Sequence, residues 1–243
     1  MSKVIVITGG TSGIGRDLVR KFSNKENFIF VLSKNKENID ISKKEINSDN
    51  VEFIKCDLLI EEDIIKAFKY INTKVNHMDL LINNAAYDFM SSIEDYDYDT
   101  FSRIINTNLL GKVFCLKNSI DLLKESKYPC VINIASRLAT KPMNDSSAYC
   151  SAAAGIVMFT KCAAIELEKY SIRVNCISPS LTITPLSLKS YTEEEINRVK
   201  NISTRKRLCT SDDIYELIIF LSSRKSDYIN GENIDLSSGI LLK

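Results

Sequence analysis

The residues best equipped for chemistry in this 243-residue chain form a glycine-rich run near its start, Thr8-Gly9-Gly10-Thr11-Ser12-Gly13-Ile14-Gly15. The run follows a short β-branched segment and opens a stretch in which Ile14, Leu18, Val19 and Phe22 recur at helical spacing. A dinucleotide pyrophosphate needs main chain close to it, N–H groups aimed at it and a helix N-terminus behind it. Gly9 would permit the tight turn, Gly13 the approach of phosphate, and Gly15 the close packing of helix on sheet. Without a ligand the same run would be an ordinary strand–helix turn, so the pattern alone is a weak signal. A second chemical cue lies at the end of the next strand, Val31-Leu32-Ser33-Lys34. A site for NAD usually carries an acid there, accepting bonds from the ribose 2′-hydroxyl. Ser33 holds that position and Lys34 follows. A 2′-phosphate needs a cation and tolerates no neighbouring carboxylate, so NADP(H) is expected, with NAD(H) left open. Lys34 could equally be a solvated loop lysine.

Other chemistries are poorly served. The one histidine, His77, and seven scattered cysteines without a C-x-x-C pair offer no zinc-ligand spacing. Thiols in apolar contexts behave as small hydrophobes and imply a reducing compartment, so a cytoplasmic location is expected. Lys plus Arg number 32 against 31 Asp plus Glu, which supports neither a nucleic-acid nor an anionic-membrane partner. The first residues hold too short an apolar run for a signal peptide, and no run of about 18 apolar residues argues for a transmembrane helix.

The elements that must position these residues alternate along the chain. Short apolar or β-branched runs at 4–8, 28–33, 51–55, 79–82, 130–135, 173–178 and 233–236 predict strands. Between them, helical periodicity predicts helices over 13–23, 61–75, 100–125, 148–169 and 211–221. Nearly all-apolar strands alternating with helices imply an α/β fold with a parallel sheet covered on both faces. Four prolines, eight glycines and no repeat or linker give no internal boundary, so residues 1–243 are read as a single doubly wound domain.

The glycine spacing Thr-Gly-x-x-x-Gly-Ile-Gly resembles the short-chain dehydrogenase/reductase family, and further motifs follow in that family's order. Asn83-Asn84-Ala85-Ala86 looks like its Asn-Asn-Ala-Gly motif, with Ala86 where glycine is usual. Asn108 matches the helix asparagine of the active site, and Ser136 precedes Tyr149 by the family's 13 residues. The segment 173–180 resembles the family's Pro-Gly stretch, with Ser180 in place of the glycine after Pro179, and 229–236 resembles its closing strand. The resemblance spans the chain. It implies a Rossmann-type seven-stranded parallel sheet with three helices on each side. It also implies hydride transfer between a nicotinamide and a carbonyl or alcohol carbon, with Tyr149 handling the proton and Ser136 holding the substrate oxygen. Cofactor contacts are implied at Gly9, Thr11, Ser12, Gly13, Ile14, Gly15, Ser33, Lys34, Asp57, Leu58, Asn84, Ala85, Ala86, Tyr149, Pro179, Thr182 and Thr184. Asp57 would meet the adenine amino group, or could simply cap the next helix.

One departure outweighs the agreements. The family carries a lysine four residues after the tyrosine, on the same helix face. Here that position is Ala153. The family lysine lowers the tyrosine pKa and bonds the nicotinamide ribose, and alanine can do neither. An unperturbed tyrosine has a pKa of about 10, and lowering it by about three units corresponds to roughly 4 kcal/mol. The expected loss of catalysis is on the order of 10²–10⁴-fold or more. Lys161 lies too far along the helix to substitute. Two explanations stay open: a Lys→Ala substitution in an otherwise active reductase, or a natural loss of redox chemistry that leaves a binding scaffold, a cofactor sensor or a different reaction. Asn108, Ser136, Tyr149 and the phosphate turn are retained, which favours the first.

Substrate recognition is expected from 87–90, 137–144 and a loop at about 186–207. Arg137, Met143 and Leu186 are candidates beside Ser136 and Tyr149, and the apolar and aromatic mixture suits a small or mid-sized ketone. Arg137 could meet an anion or lie on the surface. Lys189, Arg198, Lys200, Arg205, Lys206 and Arg207 could form a basic entrance for 3-oxoacyl thioesters on a carrier protein, or a solvated helix face. The resemblance further implies a homodimer or homotetramer packed through the helices at 100–125 and 148–170.

Overall fold

Alternating side chains along each strand fix the architecture. In the computed structural model, Val4 and Val6 of the first strand join one buried cluster while Ile5 and Ile7 join another on the opposite face. This period-two division puts apolar groups on both sides of the sheet, and both sides are covered. The structure describes residues 2–24 and 26–242, without the side chains of Lys189 and Ser190. Strands β1 (Val4–Thr8), β2 (Phe28–Ser33), β3 (Val51–Lys55), β4 (Leu80–Asn83), β5 (Cys130–Ile134), β6 (Arg173–Pro179) and β7 (Asn233–Leu236) pair in the order β3-β2-β1-β4-β5-β6-β7, all parallel. Helices α1 (Gly13–Ser23), α2 (Lys36–Ile46) and α9 (Ser211–Leu221) contribute to one cluster, and α3 (Glu61–Lys74), α5 (Gly111–Lys124) and α6 (Ser147–Leu167) to the other. The strand order reverses between β1 and β4, which opens a crevice beyond their carboxyl ends.

Three sequence expectations are corrected. Helix α2 was not anticipated, because only Ile39 and Ser42 of its eleven residues are buried and most of the rest is Lys, Glu, Asn and Asp. The helix expected over 100–125 is three pieces: α4 (Tyr98–Ile105), a π-helical turn at Asn106–Leu110, and α5. The segment expected as a loop at 186–207 holds α7 (Ser187–Ser190) and α8 (Glu193–Ile202), the latter started by a capping box between Thr192 and Glu195. Helix α6 with its extension, Ser147–Tyr170, is long and apolar enough by composition to cross a membrane, as the core helix of an α/β fold can be. It packs on the sheet, burying Ala163, Ala164 and Leu167 in the core.

A buried polar chain holds the site-bearing elements in register. Asn83 Nδ2 on β4 donates to Asn133 Oδ1 on β5 at 2.9 Å, and Asn133 Nδ2 donates to Thr160 Oγ1 on α6 at 2.9 Å. All three residues are fully buried. Thr160→Val keeps the shape but removes the acceptor, leaving a buried amide N–H unpaired. The expected cost is about 1–3 kcal/mol, read as a lower urea midpoint with unchanged slope.

Candidate active site

The turn after β1 is built to bring main chain against main chain. Gly9 has φ +69°, and a Cβ there would lie 2.8 Å from Ala85 Cα. A Cβ on Gly15 would lie 2.3 Å from Gly9 O and 2.5 Å from Asn84 Nδ2. Only glycine fits either position. Thr8 Oγ1 accepts from the N–H groups of Asn84 and Ala85, both at 3.0 Å, while Asn84 Nδ2 donates to Thr8 O at 3.0 Å. The ends of β1 and β4 are thereby stapled together. Ser12 stands at the N-cap of α1 without a side-chain capping bond, and the first turn carries no acid. The helix start therefore presents N–H groups and the positive end of its dipole toward the cleft, with no anion of its own to oppose a phosphate. A cradle that any Cβ would fill, behind an uncapped helix start, fits a dinucleotide pyrophosphate.

The cleft has a volume of about 480 Å³ and runs from this turn to Tyr149. On its adenosine side lie Ser33, Lys34, Asn35, Asn38, Cys56, Asp57 and Leu58. Ser33 is buried and shares a 2.7 Å hydrogen bond with Thr11. Lys34 is exposed, its ammonium 5.8 Å from the Tyr87 ring centre. No carboxylate stands at the end of β2. Asp57 accepts from Leu59 N at 3.1 Å, so it shapes the turn before α3 while its residue lines the cleft.

The other end gathers Ala85, Ala86, Asp88, Ser136, Arg137, Leu138, Tyr149, Pro179, Ser180, Thr182, Thr184, Leu186 and Tyr191. Ser136 caps a short 3₁₀ turn, accepting from Leu138 N at 3.2 Å, and is hydrogen-bonded to the Tyr149 hydroxyl. Burial, then the Asp88 carboxyl and Tyr191, push the Tyr149 phenol above its ordinary value, while the Ser136 bond pulls the other way. Thr184 Oγ1 accepts from Ser187 N at 3.1 Å, bringing α7 over the turn; a Cβ on Gly13 would lie 3.1 Å from Thr184 Cβ.

Asn108 sits in the π-helical turn and spends its side chain on the loop after β4: Oδ1 accepts from Tyr87 N and Nδ2 donates to Tyr87 O, both at 2.8 Å. It does not line the main cleft but a smaller cavity behind it, with Lys112, Tyr149 and Ala153. Arg137, which the sequence left open as a surface residue, is buried in the cleft wall. Met143 is partly buried on the turn before α6 and does not line the cleft. In the basic cluster, Arg207 pairs with Asp213 at 2.6 Å and Lys206 Nζ donates to Asn201 O at 2.6 Å, so two of its cations serve local structure. Asp88 falls in the expected lining segment 87–90; sequence reasoning missed Asn38, which belongs to no motif, Thr107, the neighbour of Asn108, and Lys112, whose position one helical turn after Asn108 was the available signal.

A model of the family described as short chain dehydrogenase matches residues 3–195. The chain belongs to the short-chain dehydrogenase family. It is 32% identical to the uncharacterized oxidoreductase YxbG of Bacillus subtilis (strain 168), over 99% of this chain and 91% of that protein. It is 26% identical to (+)-borneol dehydrogenase 2 of Salvia officinalis, over 98% and 89%. The solved structure of levodione reductase shares the fold with a TM-score of 0.90 at 22% identity, covering 98% of this chain and 96% of that one. Members of the short-chain dehydrogenase family bind a nicotinamide dinucleotide, and the glycine cradle is where its pyrophosphate fits. Gly15→Ala should weaken NADPH binding at least tenfold in titration calorimetry; unchanged affinity would contradict the cradle.

Proposed function

We propose that the protein is an NADP(H)-dependent carbonyl reductase, or alcohol dehydrogenase in the reverse direction, acting on a small or mid-sized, partly apolar ketone. The observation that carries this reading is the Ser136–Tyr149 hydroxyl pair at the floor of the same cleft whose other end is the glycine cradle. Gly9, Gly13 and Gly15 with the first turn of α1 would hold the pyrophosphate, and Asn84, Ala85, Ala86, Pro179, Thr182 and Thr184 would flank the nicotinamide half. Bound there, the nicotinamide supplies or accepts a hydride. Ser136 holds the substrate oxygen and meets its developing charge, and Tyr149 gives or takes the proton at that oxygen. Leu138, Leu186 and Tyr191 supply apolar and aromatic surface, and Arg137 bounds the pocket. The names of the relatives, a borneol dehydrogenase and a levodione reductase among them, support an alcohol or ketone as substrate class.

The preference for NADP(H) rests on the acid-free end of β2 and on Lys34 beside it. Calorimetry should register NADPH binding at least tenfold tighter than NADH, and Ser33→Asp should reverse that order. Tighter NADH binding by the unaltered chain would overturn the assignment.

A homodimer or homotetramer is supported by exposed apolar side chains on the helices expected at the interface. Leu110, Met158 and Ile165 are 43%, 58% and 76% exposed and would be covered at such a contact. Sedimentation at micromolar concentration should show a dimer or tetramer; a clean monomer would remove this part of the account.

A further inference from the structure

Lys112 has no task in the reading above, and its environment is unfavourable for an ammonium group. It lies in the first turn of α5, one helical turn after Asn108, and is 2% exposed. Its Nζ donates to Ile134 O at 2.5 Å, a carbonyl at the end of β5 two residues before Ser136. Among the described residues Nζ makes no other hydrogen bond and no carboxylate pairs with it. The titratable groups facing it are Cys115 on its own helix and Cys176 on β6, and burial pulls the ammonium down to about 8. A buried ammonium that uses one of its three donors is strongly destabilising unless water or another group takes the rest.

A second, independent feature adjoins it. A cavity of about 10 Å³ is lined by Lys112, Asn108, Ile134, Tyr149 and Ala153. That is room for about one water. Ala153, where the family carries its lysine, contributes only a buried methyl to the wall. One helix thus lacks the cation, while its neighbour delivers one to the same small space.

We propose that Lys112 takes the place of the lysine missing at 153, acting through one water in this cavity as the cation that stabilises the Tyr149 phenolate. The groups facing Tyr149 are Asp88 from the loop after β4, Tyr191 after α7, Cys150 on its own helix, and Ser136. Asp88, Tyr191 and Cys150 oppose its ionisation, so a cation behind the ring is what the site requires. When Tyr149 gives its proton to the substrate oxygen, the phenolate left behind is held by Lys112 until solvent returns a proton. A cation linked to the phenolate through one water acts in the direction in which opposite charge always acts on an acid, favouring its ionised form. Lys112 does not touch substrate and is a positioning residue. On this reading Lys112 supplies the first of the two tasks that Ala153 cannot perform, and leaves the ribose contact unfilled.

The proposal rests on the reductase reading of the site, yet it can be tested without cofactor or substrate. Two interacting groups titrate as a pair, so part of the proton lost as Lys112 titrates should come from Tyr149. Near-ultraviolet absorbance of the full chain should show a tyrosinate step below the ordinary tyrosine range. That step should vanish in both Tyr149→Phe and Lys112→Met, and return in the double variant Lys112→Met/Ala153→Lys. A step that persists in Lys112→Met overturns the proposal, as does the absence of any such step in the unaltered chain. Should Lys112→Met not fold, the Lys112 Nζ resonance decides: its titration must shift by at least 0.5 pH unit, about threefold, between the unaltered chain and Tyr149→Phe. Coincident curves would refute the coupling. Loss of NADPH binding in calorimetry on the same samples would sink the reductase reading and leave the titration result standing.

Discussion

The rest of the site depends on the contact between the turn after β1 and the end of β4. Main chain passes so close there that a single methyl on Gly9 or Gly15 would collide with Ala85, Asn84 or the turn itself. That closeness lets Thr8 and Asn84 exchange hydrogen bonds across the point where the strand order reverses. It also sets the direction of α1, whose uncapped start faces the cleft as an anion-seeking feature. Every later element is placed relative to this junction: β5 by its pairing with β4, and α6 by the Asn83–Asn133–Thr160 chain. The consequence is that Ser136 and Tyr149, thirteen residues apart, share one floor.

Burial shapes the chemistry as much as position does. The surroundings that make the Tyr149 pocket suitable for polarising a carbonyl also raise the cost of leaving a phenolate in it. A cation is the physical remedy, and in this chain the buried cation that lines the small cavity behind the tyrosine comes from α5. The π-helical turn at Asn106–Leu110 is of a kind frequent at functional sites, and here it joins α4 to α5 with Asn108 clamping the Tyr87 loop. Asn108 and Lys112, one turn apart, thus support the site from its rear wall rather than from inside the cleft.

Much of this was legible in the chain itself. Strands β1, β2, β3 and β7 and helices α1 and α9 are bounded in the structure as the sequence predicts; β1, β2, α1 and α9 bury a whole run or a clear stripe, while β3 buries Phe53 alone and β7 is only partly covered. The phosphate turn, the Ser136–Tyr149 spacing and the acid-free end of β2 could be read because each depends on local residue types. What was not legible depends on tertiary neighbours. Helix α2 carries too few apolar residues to announce itself. Arg137 is buried by packing that no local pattern encodes, and α8 is started by a capping box rather than by a strong apolar stripe. Lys112 was missed for a related reason: beside the other polar residues of α5 a lysine reads as a solvent-facing residue until the opposite wall, and the small side chain at 153, are seen together.

The central claim is that one cleft binds the dinucleotide with its pyrophosphate on the α1 turn and its nicotinamide beside the Ser136 and Tyr149 hydroxyls. A crystal structure of the chain grown with millimolar NADPH addresses this directly. The account predicts phosphate oxygens against the N–H groups at the start of α1 and the nicotinamide ring at the Tyr149 end. Cofactor density seated elsewhere, or an empty cleft at that concentration, would contradict it.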